Sequence, residues 1–335
     1  MKRIYFSYIL ISICNSFFTQ DIHFSQYNGS VLNLSPALCG MFDGQYRLNG
    51  IFRKQWQAVP VPYSTIALSG EGKYFMPKIK KQLSFGLLFN NDKAGDAIYT
   101  QNQIYLTTAY LHSLKKDSTL LLNAAVNIGY SASYFNYNRM TFDSQFDGLQ
   151  YNSSAPSNEN FYRTSLHYFD INLATSLKYI INQKIYFQYA LSLFHMNSPV
   201  ITYYANTSSR LDRKWSNYLM MQYPINQKLY LLPEILFNFQ GKYKEILPGA
   251  QLSYLINNLD DIYGRAGIYL RARDAMVFRI GLDYQNTYLG MSYDINTSKF
   301  VAATNSRGGF EMYIIHIIKK KKEYLSKKKP CPVFM

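Results

Sequence analysis

Residues 120–131 read Leu120-Leu121-Leu122-Asn123-Ala124-Ala125-Val126-Asn127-Ile128-Gly129-Tyr130-Ser131. Leu120, Leu122, Ala124, Val126, Ile128 and Tyr130 form one stripe, and the interleaved positions turn polar or small. A period of two marks a strand with one apolar and one polar face. The same alternation recurs at Phe169, Ile171, Leu173, Leu177 and Tyr179, and at Met276, Phe278, Ile280, Leu282 and Tyr284. No segment sustains apolar residues at spacings of three, four and seven, so helices do not build this chain. Marking every alternating stretch gives fourteen strands starting near residues 45, 63, 82, 97, 119, 167, 184, 210, 227, 244, 262, 274, 286 and 308.

The connectors sort by parity. Even-numbered ones are short, at 76–81, 113–118, 181–183, 224–226, 257–261 and 285–286, whereas the long ones, 134–166, 197–209 and 295–308, are all odd. A soluble sandwich or propeller has no reason to sort loops this way. A transmembrane antiparallel β-barrel does, with short periplasmic turns and longer extracellular loops. The predicted fold is therefore all-β, a barrel of about fourteen strands over residues 45–318. An even strand count predicts both chain ends on the periplasmic side. The segment 143–160, rich in Asp, Ser and Asn, reads as a long exposed loop.

Composition agrees. The 335 residues include 32 Tyr and 22 Phe but only two Trp, and charged residues stop at 16%. Mean hydropathy is −0.19, as alternation requires. The alternate stripe carries Arg47, Asn49, Arg53, Gln55, Asn123, Asn127, Asp170, Asn172, Arg265, Arg271, Arg279 and Asp283. A charge facing lipid at the midplane costs about 2–4 kcal/mol, so these side chains are expected inside the barrel, with tyrosines at the stripe ends forming girdles. The net charge is +15, of which Lys2 and Arg3 carry two and the 319–329 tail a net +6, leaving +7 for the body. Basicity gathered at the two ends argues against a nucleic-acid surface.

Lys2 and Arg3 precede an apolar run over 4–13 and a polar exit at 15–21. These are the parts of a secretory signal peptide, taken as residues 1–19, with the mature chain exported. Residues 20–44 then form a segment either inside the lumen or along the periplasmic rim. Residues 319–335 form a basic periplasmic tail. Cys14, Cys39 and Cys331 make neither a disulfide framework nor a zinc site. No HExxH, GxSxG, P-loop or dinucleotide fingerprint occurs, so no enzyme, cofactor or metal is expected.

Several motifs fall in a set order: His23-Phe24-Ser25-Gln26-Tyr27, Asn33-Leu34-Ser35-Pro36-Ala37, Arg53-Lys54-Gln55-Trp56, Arg271-Ala272-Arg273-Asp274, Ser292-Tyr293-Asp294, Gly309-Phe310-Glu311 and, past the lysines, Cys331-Pro332. This ordered set, from about 21 to 334, resembles the PorP/SprF family of Bacteroidetes outer-membrane proteins tied to type IX secretion and gliding motility. The chain departs from the family's pattern at Ile22, Ser35, Cys39 and Val333. The resemblance implies a non-enzymatic outer-membrane barrel. It links periplasmic machinery (a ring lipoprotein and associated subunits, or a peptidoglycan-binding subunit) to the outer membrane and supports export or surface attachment of a large adhesin-like cargo. An outer-membrane pore for small solutes is the alternative.

Read from the residues, Asp294 with Asn296 is expected to hold a strand-end turn, and Arg271, Arg273 and Asp274 to form a structural ion pair at a short connector. Trp56, with Gln55 and Tyr63, is expected to anchor the first hairpin at the membrane interface. Lys319, Lys320, Lys321, Lys322, Lys327, Lys328 and Lys329 follow the last strand, where such a run attracts anionic surfaces. With Cys331 and Pro332 they are the candidate partner-docking residues.

Overall fold

The computed structural model describes residues 21–55, 63–76, 81–95, 97–205, 208–298 and 306–319. Fourteen antiparallel strands close into one barrel. They are β1 Tyr46–Gln55, β2 Tyr63–Met76, β3 Lys81–Ala94, β4 Tyr99–Ser113, β5 Leu120–Tyr134, β6 Ser165–Ile180, β7 Tyr186–Phe194, β8 Lys214–Pro224, β9 Leu229–Gln240, β10 Tyr243–Asn257, β11 Ile262–Arg271, β12 Ala275–Tyr284, β13 Thr287–Asn296 and β14 Arg307–Ile318. Every strand pairs with its sequence neighbours, and β1 closes on β14 from Tyr46 opposite Ile318 to Gln55 opposite Gly309. Closure satisfies the backbone groups of both would-be edges, which a bilayer demands. Among the described residues no helix is long and apolar enough to cross a membrane; the crossing is done by strands.

The strand count and the loop parity are as the alternation predicts. The largest displacement is in β8, expected near 210 and beginning at Lys214. Residues just before it are held in the preceding connector, where Val200 bridges Arg210. The long connectors, β5–β6 and β7–β8 above all, emerge at one end of the barrel, which is the outward end for this class of fold. The 143–160 stretch is mostly exposed and carries a short 3-10 turn, Asp143–Gln145, and one isolated bridge, Phe146 to Tyr151.

Exposure is inverted relative to a soluble protein. Leu106 is 65% exposed, Phe169 68% and Ile280 61%, whereas Asn123 and Asp170 are fully buried. Arg47, Asn49, Arg53, Asn127, Asn172, Arg271, Arg279 and Asp283 are buried inward as well. Tyr46, Tyr74, Tyr110, Tyr179, Tyr223, Tyr254 and Tyr284 are exposed near the strand ends beside the short connectors, where amphipathic rings form one girdle. Trp56 lies outside the described residues.

The lumen is not empty. Ahead of β1 the chain makes a 3-10 turn at Tyr27–Gly29, one α-helical turn at Val31–Leu34 and a second 3-10 turn at Pro36–Leu38, all within the barrel. Ser35 caps the last turn by accepting from the Ala37 amide at 3.3 Å, with Pro36 suited to the first position. Gly40 then turns the chain out at φ +74°. A Cβ there would strike Ser84, so only glycine fits. Two sides of this plug pack on opposite walls. Phe24, Leu32, Ala37 and Cys39 meet Ile51, Ala67, Leu88, Tyr105 and Ala125. Tyr27, Val31, Leu34 and Leu38 meet Ala190, Tyr218, Leu236, Leu247 and Val277. Fully burying each large side chain contributes about 1.5–3 kcal/mol, an upper value because the unfolded chain already buries some surface.

Candidate functional site

The residues holding the plug at its outward half come from seven strands, β1 and β9 to β14, and the plug itself. Ser25 has every polar atom engaged. Its amide donates to Glu311 Oε1 at 2.6 Å, its hydroxyl donates to Asp294 Oδ2 at 2.6 Å, and its carbonyl accepts from the Arg279 guanidinium. The next amide, of Gln26, donates to Glu311 Oε2 at 2.6 Å. Arg53 reaches the Ser25 hydroxyl at 2.9 Å and pairs closely with Glu311, while Arg271 donates to the same hydroxyl and lies 3.2 Å from Asp294. Arg271 also pairs with Asp274 at 3.2 Å and approaches Glu245 at 3.3 Å. Arg279 stands over the Tyr269 ring at 3.4 Å and the Tyr27 ring at 4.4 Å, with Glu234 at 3.7 Å.

Arginine suits this work because its planar fork grips several oxygens at once and stacks on rings. Apart from Asp274, which is 45% exposed, the paired groups are almost completely buried, so each of those carboxylates and guanidiniums exists as a charge only because its partner does. Each of these carboxylates has at least one cationic partner. Among the described residues no group of His, Cys, Asp and Glu is arranged to hold a metal.

A second clasp fixes the plug's leading residue. Asp21 Oδ2 lies 2.8 Å from His195 Nε2 and 3.2 Å from Lys214 Nζ, and His195 Nδ1 lies 2.8 Å from Asp170 Oδ2. Burial opposes charge on both Asp21 and His195, but the opposite charges outweigh it. His195 and Lys214 hold the Asp21 carboxyl well below the usual range, and the two carboxylates hold the His195 imidazolium up at about 9. Burial, with Arg53 next, pushes His23 down to about 4, so that ring is neutral.

At the inward end a third set ties the plug's exit. Arg47 grips Glu71 with two bonds of 2.8 Å, and Glu71 accepts from the Gly40 amide at 3.0 Å. Arg47 and Lys73 both sit 4.6 Å from the Phe42 ring centre. Between the ends, Asn33 and Asn90 exchange a reciprocal pair of amide bonds of 2.9 and 3.0 Å. The Ala37 carbonyl accepts from Asn123 at 2.7 Å and Ser176 at 2.9 Å.

Most motif positions meet here. Ser25, Gln26, Arg53, Arg271, Asp274, Asp294 and Glu311, far apart in sequence, form one lattice; Asn33 and Ala37 hold the middle of the plug. Asp294 is an inward lattice anion rather than the holder of a strand-end turn, because strand alternation turns it to the lumen. Ser292 is buried on the same side; Tyr293, between them, is 44% exposed on the outer face. Gly308, before Gly309 and Phe310, fits against the Asp294 carbonyl where a side chain would clash. Gln55 accepts from Arg53 Nε at 3.3 Å. Pro36 begins the last plug turn. Lys319 is exposed and lies 3.5 Å from Asp43. Lys320, Lys321, Lys322, Lys327, Lys328, Lys329, Cys331, Pro332 and the leader at 1–19 lie outside the described residues.

Sequence reasoning missed Asp21, Glu71, His195, Lys214, Glu234 and Glu245. Only inward parity marked the glutamates, and nothing local marked His195. Both chain ends, expected on the periplasmic side, lie outside the described residues. Lys319 is on the short-connector side, but Asp21 meets His195, Lys214 and Gln240 at the opposite end, because the segment before β1 runs the length of the lumen.

The family model for the type IX secretion system membrane protein PorP/SprF matches residues 16–315. The chain belongs to the PorP/SprF family. The lattice of Ser25, Arg53, Arg271, Asp294 and Glu311 lies wholly within the matched span. No curated protein matches the chain. Among solved structures, the Ralstonia pickettii toluene transporter TbuX is similar at 9% identity, covering 86% of this chain and 93% of that one, with a TM-score of 0.54. A Pseudomonas aeruginosa FadL homologue has 10% identity, coverage of 81% and 89%, and a TM-score of 0.49. The P. putida toluene transporter TodX has 10% identity, coverage of 85% and 93%, and a TM-score of 0.49. At such identity the TbuX likeness speaks for an outer-membrane barrel fold and for nothing finer.

Proposed function

We propose that this PorP/SprF protein is a non-enzymatic outer-membrane component of the type IX secretion system that works as a closed docking barrel. It links periplasmic secretion or gliding machinery to the outer membrane and supports export or surface attachment of a large adhesin-like cargo. The observation that carries the reading is the filled lumen: the 21–44 segment is clasped by ion pairs at both ends and packed against opposite walls between them. A barrel so closed is suited to presenting surfaces rather than passing solutes. The expected inward partners are a ring lipoprotein with its associated subunits or a peptidoglycan-binding subunit, met by the short turns and the 319–335 basic tail. The outward loops are left for cargo.

A solute pore is the competing reading, and the plug weighs against it. The test is affinity purification of the tagged protein from detergent-solubilised outer membranes, with mass spectrometry of the eluate, alongside conductance in planar bilayers. Co-purified secretion subunits or one large adhesin with no conductance support the docking barrel. A bare barrel that conducts refutes it.

A further inference from the structure

Above the plug, at the outward end, lies a cavity of about 860 Å³. That is at the upper part of the range of small-molecule sites. Its walls carry a collar of tyrosines from around the barrel: Tyr63 on β2, Tyr99 on β4, Tyr168 on β6, Tyr203 on the β7–β8 connector and Tyr243 on β10. Asp21, Ile22 and His23 of the plug contribute to its lining, so occupant and plug share a surface.

From this lining we infer that the vestibule binds a neutral oligosaccharide from outside the cell. The chemistry narrows in three steps. The charges at its base are already spent: Arg53 on Glu311, Arg271 on Glu245 and Asp294, and Asp21 on His195 and Lys214. Over the whole lining Arg53, Lys244, Arg271 and Arg273 are matched in number by Asp21, Asp92, Glu245 and Asp274, so no net charge selects an anion. The barrel is closed, so an extended peptide finds no free strand edge to pair with and side chains alone must read the ligand. An apolar hydrocarbon would strip water from the amides, hydroxyls and carboxylate between the rings, Gln55, Gln101, Thr65 and Asp92, and return no hydrogen bonds. A sugar chain fits both surfaces. Its C–H faces stack on tyrosine rings while its hydroxyls both donate and accept. The inference stands whether or not the barrel serves secretion.

The test uses the purified barrel in a detergent without sugar headgroups. It is titrated with maltohexaose, cellohexaose, mannohexaose, chitohexaose and, as an apolar probe, toluene, and followed by calorimetry and tyrosine fluorescence. Saturable binding of at least one hexasaccharide is expected, weakened tenfold or more by Tyr63→Ala or Tyr243→Ala and less than threefold by the matching Phe variants, which keep the ring. Heat-modifiable migration on gels verifies that each variant is folded. Failure of all four hexasaccharides to bind, binding of toluene alone, or sugar binding indifferent to both Ala variants overturns the inference.

Discussion

Replacing Glu311 by Gln removes one negative charge from the lattice at almost unchanged volume. Its carboxylate is fully buried and does three things at once: it accepts from the amides of Ser25 and Gln26 and balances Arg53. Glutamine retains one acceptor oxygen, so one of the two plug amides loses its partner. The only carboxylate left to Arg53 is Asp294, at 3.5 Å and already engaged by Arg271 and Ser25. Breaking a buried ion pair by removing one partner costs about 3–5 kcal/mol. The β-barrel keeps its inter-strand ladder, so the cost falls on plug docking rather than on the wall. Applied to that equilibrium, it raises the undocked population by about two to three and a half decades. The assay is single-channel recording in planar bilayers, wild type against Glu311→Gln, with openings expected to become frequent in the variant. The control is Arg265→Met with Asp283→Leu, which removes a wall pair between β11 and β12 and is expected to stay closed. A Glu311→Gln barrel as silent as the wild type, with an unchanged melting profile, refutes the assignment of the lattice as the plug's clasp.

The His195 clasp gives a pH dependence of definite sign. Its raised value of about 9, against an ordinary 6.5, means the stabilisation is complete below 6.5 and disappears as pH rises through 9. Hydrogen exchange at residues 21–30 is expected to quicken between pH 7 and 10 beyond the intrinsic base-catalysed rate, and His195→Asn to erase that excess. Asp21 works in the opposite direction, its contribution present at neutral pH and lost only well below the ordinary carboxylate range. Orientation is checked by cysteine labelling in a Cys331→Ser background. Leu149 and Leu259 are each 94% exposed, on the long β5–β6 connector and the short β10–β11 connector. A membrane-impermeant maleimide is expected to label Leu149→Cys in intact cells and Leu259→Cys only after the outer membrane is permeabilised. For the basic tail, changing Lys319, Lys320, Lys321, Lys322, Lys327, Lys328 and Lys329 to Gln is expected to reduce recovery of periplasmic partners in the pull-down; unchanged recovery and unchanged secretion remove the tail from the docking reading.

Strand number, strand boundaries and the two faces were legible without coordinates, because a bilayer imposes a period of two and the outer stripe must be apolar wherever the strand meets lipid. Loop parity was legible for the same kind of reason, since each end of the barrel has its own connector length. That Arg53, Arg271, Asp294 and Glu311 point inward followed from parity too, but not that they meet around Ser25. That convergence depends on the closure of β1 against β14 and on the register from β11 to β14, which bring residues from 25 to 311 within bonding distance. The segment ahead of β1 carried no clear period, so sequence left it either in the lumen or on the rim. The lumen supplies two apolar walls and a set of inward charges that need partners, and only the three-dimensional arrangement shows that the plug's amides, Ser25 and Asp21 provide them. His195 is the sharpest case. One histidine at a strand end has no local signature, and it becomes a clasp only because β6, β8 and the plug's leading residue surround it.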